Sequence, residues 1–191
     1  MEFKGITYLQ DVAEEIDQET FESLPKELRT FYQGTNGLIA FNGGLHIRGV
    51  GSDPSWHDLA RYWHGEMALH LVYTEMRPSD IPFAQDCLGD QYFYRLGTVW
   101  NLMCESGDIE DLELEFDEFI AHCVDDPIEF LSLEPLIEFM SDGGALAPGE
   151  LLAIDPPLMV EANAYEISKC AVDDRLSKLF ELYRTSSANG L

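Results

Sequence analysis

Residues 81–103 constrain the fold more than any other stretch of the chain. They carry three short runs rich in aromatic and β-branched residues, at 82–85, 91–96 and 99–103. Asp86 and Gly89-Asp90 separate the first two runs, and Leu96-Gly97-Thr98 separates the last two. Aromatic and β-branched side chains suit a pleated, half-buried surface. Glycine accepts positive φ and aspartate bonds its own backbone, so both breaks read as turns, the second a tight hairpin. Side chains alternate across a strand, so Tyr92, Tyr94 and Leu96 face one way and Gln91, Phe93 and Arg95 the other. A hairpin is marginal alone, so both faces are expected to be covered by helices from elsewhere.

The covering elements are legible as periodicities. Leu9, Val12, Ala13 and Ile16 stand at helical spacing and predict a short amphipathic helix over 9–16. A second helix is expected within 21–35, with Pro25 at its first position, Leu24, Leu28 and Phe31 as its apolar stripe and Asn36-Gly37 as its stop. Residues 37–41 and 45–48 flank Asn42-Gly43-Gly44 as another hairpin. Ser55 is the candidate N-cap of one or two helices over 55–73. Residues 109–123 read as a helix with Leu112, Phe116, Phe119, Ile120 and Cys123 inward, and 128–140 as helical with Pro135 as a candidate break. Strands at 151–154 and 165–172 and a helix at 173–184 complete the chain. The fold class expected is α+β: a mixed, mainly antiparallel sheet with helices packed against it. A chain of 191 residues fits one domain, with a core at about 21–130 and a C-terminal extension at 131–191.

Charge is the strongest clue to function. The chain has 36 Asp and Glu against 11 Lys and Arg, a net charge of −25. Residues 96–168 contain no Lys or Arg at all, yet hold 18 of the acidic residues. Such a field repels nucleic acid and anionic lipid and attracts a basic partner. An acidic surface kept for solubility is the plainer alternative, but solubility alone tolerates interspersed cations. The expected contact surface is a helix face carrying Glu105, Asp108, Glu110, Asp111, Glu113, Glu115, Asp117, Glu118, Asp125 and Asp126.

Catalytic and metal signatures are not evident, and neither a cofactor nor a metal is expected. His46, His57, His64, His70 and His122 form no ligand run, although His57 and His64 could share a helical face. The segment Asp108-Ile109-Glu110-Asp111-Leu112-Glu113 lacks the turn glycine of a calcium loop. Asp86 and Asp90 could be drawn as an acid–base pair, but beside a glycine turn they read as turn caps. Cys87, Cys104, Cys123 and Cys170 include no C-x-x-C pair and read as reduced, buried thiols. No apolar run approaches the ~20 residues of a membrane span, and the N-terminus lacks a secretory apolar region, so a cytoplasmic protein is expected.

The order of motifs resembles the SUKH superfamily. Its carriers are Leu24-Pro25-x-x-Leu28-Arg29-x-Phe31-Tyr32, then Asn36-Gly37, then Phe83-Ala84-x-Asp86-x-x-Gly89-Asp90-x-Tyr92-Phe93, then Val99, and Phe116-x-x-Phe119. The resemblance spans roughly residues 21–130. It implies an α+β fold and a non-enzymatic binder, since most bacterial members look like immunity proteins of polymorphic toxin systems. It further implies a partner: a cognate toxin, often a nuclease whose basic cleft an acidic inhibitor complements. The alternative within the same fold is a regulatory scaffold that binds a cellular protein or peptide. A groove lined by Trp56, Asp86 and Tyr92 is the family-style candidate for a ligand or peptide site.

Overall fold

Seven strands pair side by side in the order in which the chain makes them, every neighbour antiparallel. The computed structural model describes residues 2–12, 16–51 and 53–189. The strands are β1 (Tyr8–Leu9), β2 (Leu38–Ala40), β3 (Leu45–Ile47), β4 (Ile81–Asp86), β5 (Gln91–Arg95), β6 (Thr98–Met103) and β7 (Asp108–Leu114). A separate hairpin joins β8 (Glu150–Asp155) and β9 (Glu166–Ala171). The helices are α1 (Gln18–Ser23), α2 (Lys26–Tyr32), α3 (Leu59–Trp63), α4 (Phe116–Asp125), α5 (Pro127–Phe130), α6 (Glu134–Ser141) and α7 (Val172–Asn189). The chain is therefore α+β, as its patterning predicts.

The central meander falls where aromatic density and turn chemistry put it. Arg95 pairs with Thr98, leaving Leu96 (φ 53°) and Gly97 (φ 104°) as a two-residue turn of the primed kind, whose twist matches the strands. Alternation along β5 then sorts the molecule into two cores. Tyr92 belongs to the first, with Leu28, Phe83, Val99, Phe116, Phe119 and Leu136. Phe93 belongs to the second, with Tyr62, Tyr73, Leu102, Leu176, Leu179 and Phe180. Both faces of the sheet are covered, as a marginal hairpin requires.

The described part of the C-terminal extension, residues 131–189, contributes to both cores. Leu133, Leu136, Leu146, Leu152 and Ile154 enter the first core, and Leu151, Val172, Leu176 and Leu179 the second. The Leu152 N–H donates to the Cys87 carbonyl at 2.8 Å, tying β8 to the end of β4. Each such buried Leu contributes about 1.5–3 kcal/mol, so the central sheet depends on this segment.

Several local expectations are corrected. Leu9 lies in β1, paired with Leu38, and Val12 is exposed rather than on a buried helix face; Ala13 lies outside the described residues. An eight-residue helix is weak by itself, whereas the edge of β2 offers partners, and the Thr7 and Gln10 N–H groups donate to the carbonyls of Ile39 and Gly37. The helix expected within 21–35 is α2, with Pro25 at its N-cap, one residue before the expected first position, and a separate helix, α1, precedes it. Asp17 caps α1, its Oδ1 accepting from Glu19 and Thr20. Asp58, not Ser55, caps α3. His57 sits in a single 3-10 turn and His64 ends α3, so the two share no helix face. Pro135 opens α6 rather than breaking a helix.

The largest correction concerns residues 109–123. They split into strand β7 and helix α4 at Glu115. Pairing with β6 from Met103↔Asp108 to Val99↔Leu114 overrides the apparent helical spacing, with an irregularity between Val99 and Trp100. The proposed acidic helix face is thus a sheet edge followed by a helix.

Candidate functional site

β7 is the last strand of the sheet, with β6 on one side and, among the described residues, no strand on the other. An edge strand presents unpaired N–H and C=O groups, and charged side chains there discourage self-association. Of the ten carboxylates expected at a contact surface, all are exposed except Glu105, which is half-buried.

Hydrogen bonding divides these ten into two sets. Glu105 pairs with Arg175 at 3.3 Å and accepts the Met159 N–H at 3.1 Å. Glu118 accepts the Glu115 N–H at 3.0 Å, and Glu115 forms the other half of the capping box at the start of α4. Asp126 caps α5 by accepting the Glu129 N–H at 3.4 Å, and Asp111 accepts the Glu113 N–H at 2.9 Å. These five residues have local structural work. The side chains of Asp108, Glu110, Glu113, Asp117 and Asp125 have no hydrogen bond or ion pair among the described residues. Of the 18 acidic residues between 96 and 168, only Glu105 and Glu150 form ion pairs within the described residues.

Three of the 11 cations are withdrawn from the surface. Arg48, Arg95 and Arg175 are buried. Arg95 is held by Asp80 through two bonds of 2.9 and 2.6 Å and lies over the Trp100 ring at 4.8 Å. Arg48 has no carboxylate partner within the described residues. Its guanidinium donates to the Pro82 carbonyl, Gln85 Oε1 and Gln91 Oε1, each at 2.7 Å, and sits 4.0 Å from the Tyr62 ring centroid. Burial pushes its pKa down to about 10, so it stays charged at neutral pH.

A directional chain of dipoles solvates that charge. Gln85 Nε2 lies 3.3 Å from His46 Nδ1, His46 Nε2 lies 2.8 Å from His57 Nδ1, and His57 Nε2 lies 2.9 Å from the Asn36 carbonyl. With Gln85 Oε1 already accepting from Arg48, donation runs outward, and both imidazoles are assigned as neutral Nε2–H tautomers. Sequence reasoning missed this network. Its only linear signal is polar residues at alternate strand positions, which the register His46↔Gln85 and Gln85↔Gln91 turns into one buried row.

A groove runs beside the acidic edge, on the face of the first core. It encloses about 340 Å³ and is lined by Asp86, Asp90, Tyr92, Asn101, Glu110 and Leu112 of the sheet and its turn, by Phe130 at the end of α5 with Leu131 and Ser132 after it, and by Leu158. A second hollow of about 290 Å³ shares Leu88, Asp90, Met103 and Leu158 with it and reaches Glu105 and Arg175. Asp86 and Tyr92 therefore meet as expected. Trp56 does not join them: it packs on Tyr8, His46 and His57 and belongs to the second core, across the sheet. The strand alternation that separates Tyr92 from Phe93 also separates Tyr92 from Trp56.

Asp86 and Asp90 are turn caps, and they also form the groove floor. Asp86 Oδ1 accepts the N–H groups of Leu88, Gly89 and Asp90 at 2.8, 2.9 and 3.0 Å, while Asp90 Oδ1 accepts from Cys104 at 2.7 Å. Gly89 adopts φ 97° to close this turn. Burial raises both carboxyls, Asp86 well above the ordinary range with the Asp90 charge adding to it, and Asp90 to about 6.

Among the described residues no group of three or more His, Cys, Asp or Glu is placed to hold a metal ion. No helix of those residues is long and apolar enough to cross a membrane. Comparison with protein-family models, with curated proteins and with solved structures found no match for this chain.

Proposed function

We propose that the chain is a stoichiometric, non-enzymatic protein binder that captures a basic partner on the edge formed by β7 and α4. The observation that carries this reading is the set of five exposed carboxylates, Asp108, Glu110, Glu113, Asp117 and Asp125, without local partners among the described residues. A surface kept acidic only for solubility has no reason to bury Arg48, Arg95 and Arg175 while leaving these anions uncompensated on one edge. Opposite charge on the partner raises association rates by ~10–10³-fold at low salt.

The kind of partner rests on the SUKH resemblance: a cytoplasmic immunity protein that neutralises a cognate toxin domain, of the basic nuclease type, by covering it. The α+β sheet with helices packed on it is compatible with that resemblance. Of the acid–base candidates, Asp86 has its Oδ1 committed to three main-chain N–H groups and Asp90 its Oδ1 to one, which supports a structural and binding role.

The test is co-expression with basic toxin domains, taken first from whatever reading frames neighbour the gene for this chain. Growth rescue and an equimolar complex whose association rate falls steeply with salt are expected. Toxicity undiminished by the protein, or an association rate indifferent to ionic strength, would overturn the reading.

A further inference from the structure

We infer that the groove floored by Asp86 and Asp90 receives one arginine side chain from the partner protein. The identity of the donor as a basic protein rests on the binder reading above; the preference of the groove for a guanidinium does not.

Three observations converge on that ligand. Asp86 is only 5% exposed and lines the groove, and its Oδ1 is saturated by the turn. Its Oδ2 accepts no hydrogen bond among the described residues. The second oxygen of Asp90 is in the same position. Both oxygens open onto the groove rather than being sealed in the core, and a charged donor entering it would give each the partner it lacks.

The walls suit the rest of an arginine. Tyr92, Leu112, Phe130 and Leu158 offer apolar surface to a methylene stem and to the flat guanidinium, and exposed Glu110 stands at the rim. Two neighbouring carboxylates match a planar fork of donors better than a point-like ammonium.

The adjoining hollow already contains this arrangement in miniature. Arg175, 2% exposed, reaches in from α7, donates Nε–H to the Leu88 carbonyl at 2.9 Å and pairs with Glu105 at 3.3 Å. It lines the hollow beside Asp90, whose carboxyl its charge pulls down, and it does not line the neighbouring groove.

In the free protein the groups facing the two carboxylates are Glu105, Glu110, Arg175, Tyr92, Cys87 and Cys104. Burial favours a proton on the Asp86–Asp90 pair, and an incoming guanidinium displaces it. Arginine binding near pH 6 therefore releases protons.

The experiment is calorimetric titration of the intact protein with N-acetyl-arginine amide near pH 6 at low salt, in two buffers of different ionisation enthalpy. Saturable binding with a buffer-dependent heat is expected. Asp90→Asn, shown folded by near-ultraviolet circular dichroism, weakens it by about tenfold. Glu110→Gln, an exposed change that leaves the fold alone, weakens it less, and the neutral isostere N-acetyl-citrulline amide does not bind. Absence of saturation, equal affinity for the citrulline compound, or indifference to both substitutions overturns the proposal. Binding of the amide that follows this pattern upholds the site even where toxin capture fails, a failure that counts against the binder reading alone.

Discussion

Asp86 and Asp90 bond each other's backbone from both ends of one turn. The Asp86 N–H donates to the Asp90 carbonyl at 3.0 Å, and Asp86 Oδ1 accepts the Asp90 N–H at 3.0 Å. The same turn that satisfies the backbone forces two carboxyls together at the base of a groove.

That placement has a thermodynamic signature. Burial raises the Asp90 carboxyl from 3.8 to about 6 in the folded state, so the folded protein binds more protons than the unfolded chain between those values. Its contribution to stability is fully present below about pH 3.8 and is lost as pH rises through about 6. Asp90→Asn removes this penalty while its carbonyl still accepts from Cys104. The variant is expected to match the parent near pH 4 and exceed it by about 1–2 kcal/mol near pH 8. Urea unfolding at both pH values checks this, and an advantage that shrinks with rising pH refutes it.

The histidine pair acts in the opposite direction. Burial holds His57 at about 4 and His46 well below its ordinary value, with Arg48 opposing charge on both. The unfolded chain, titrating near 6.5, binds more protons as pH falls. This stability is present above about pH 6.5 and is lost as pH drops toward 4, at about 2–3 kcal/mol for His57. Nitrogen-detected NMR should show both rings as neutral Nε2–H tautomers at pH 7, and His57→Gln should flatten the acid limb. Charged imidazole signals at neutral pH would contradict the dipole chain around Arg48.

Leu96 holds a left-handed backbone (φ 53°) at a hairpin tip and is 90% exposed, so it gains nothing from packing in return. Asparagine tolerates that conformation and glycine already occupies the next position. Leu96→Asn is expected to stabilise the protein by about 1 kcal/mol, seen as a higher urea midpoint with unchanged slope. A lower midpoint would show that the leucine makes contacts that its exposure denies.

The acidic residues divide by role. Replacing Asp108, Glu110, Glu113, Asp117 and Asp125 by Lys, singly, should shift stability by no more than about 0.5 kcal/mol. Glu118→Ala and Asp126→Ala should each cost about 1 kcal/mol, because they strip the caps of α4 and α5. Thermal unfolding of the seven variants distinguishes the sets, and the combined five-lysine protein should lose the salt-dependent phase of partner association. Equal destabilisation in both sets would mean that the free carboxylates are structural.

Local chemistry determined much of this protein by itself. Aromatic density with Gly89 and Gly97 at the breaks specified the three central strands; Asp86 and Asp90 announced their turn; and Leu176, Leu179, Phe180 and Tyr183 announced α7. Only the tertiary structure decided that residues 108–114 are a strand, because one helix turn and one strand are equally compatible with Leu112-Glu113-Leu114 until β6 offers its hydrogen bonds. Only it decided that Trp56 and Tyr92 lie on opposite sides of the sheet, that Arg48 is solvated by two glutamines far along the chain, one of them bonded in turn to His46, and that Glu110, Phe130 and Leu158 meet over Asp86. Propensity and capping act over a few residues and are written in order along the chain. Pairing and burial join residues by distance in space, and a linear pattern does not encode which strand will stand beside which.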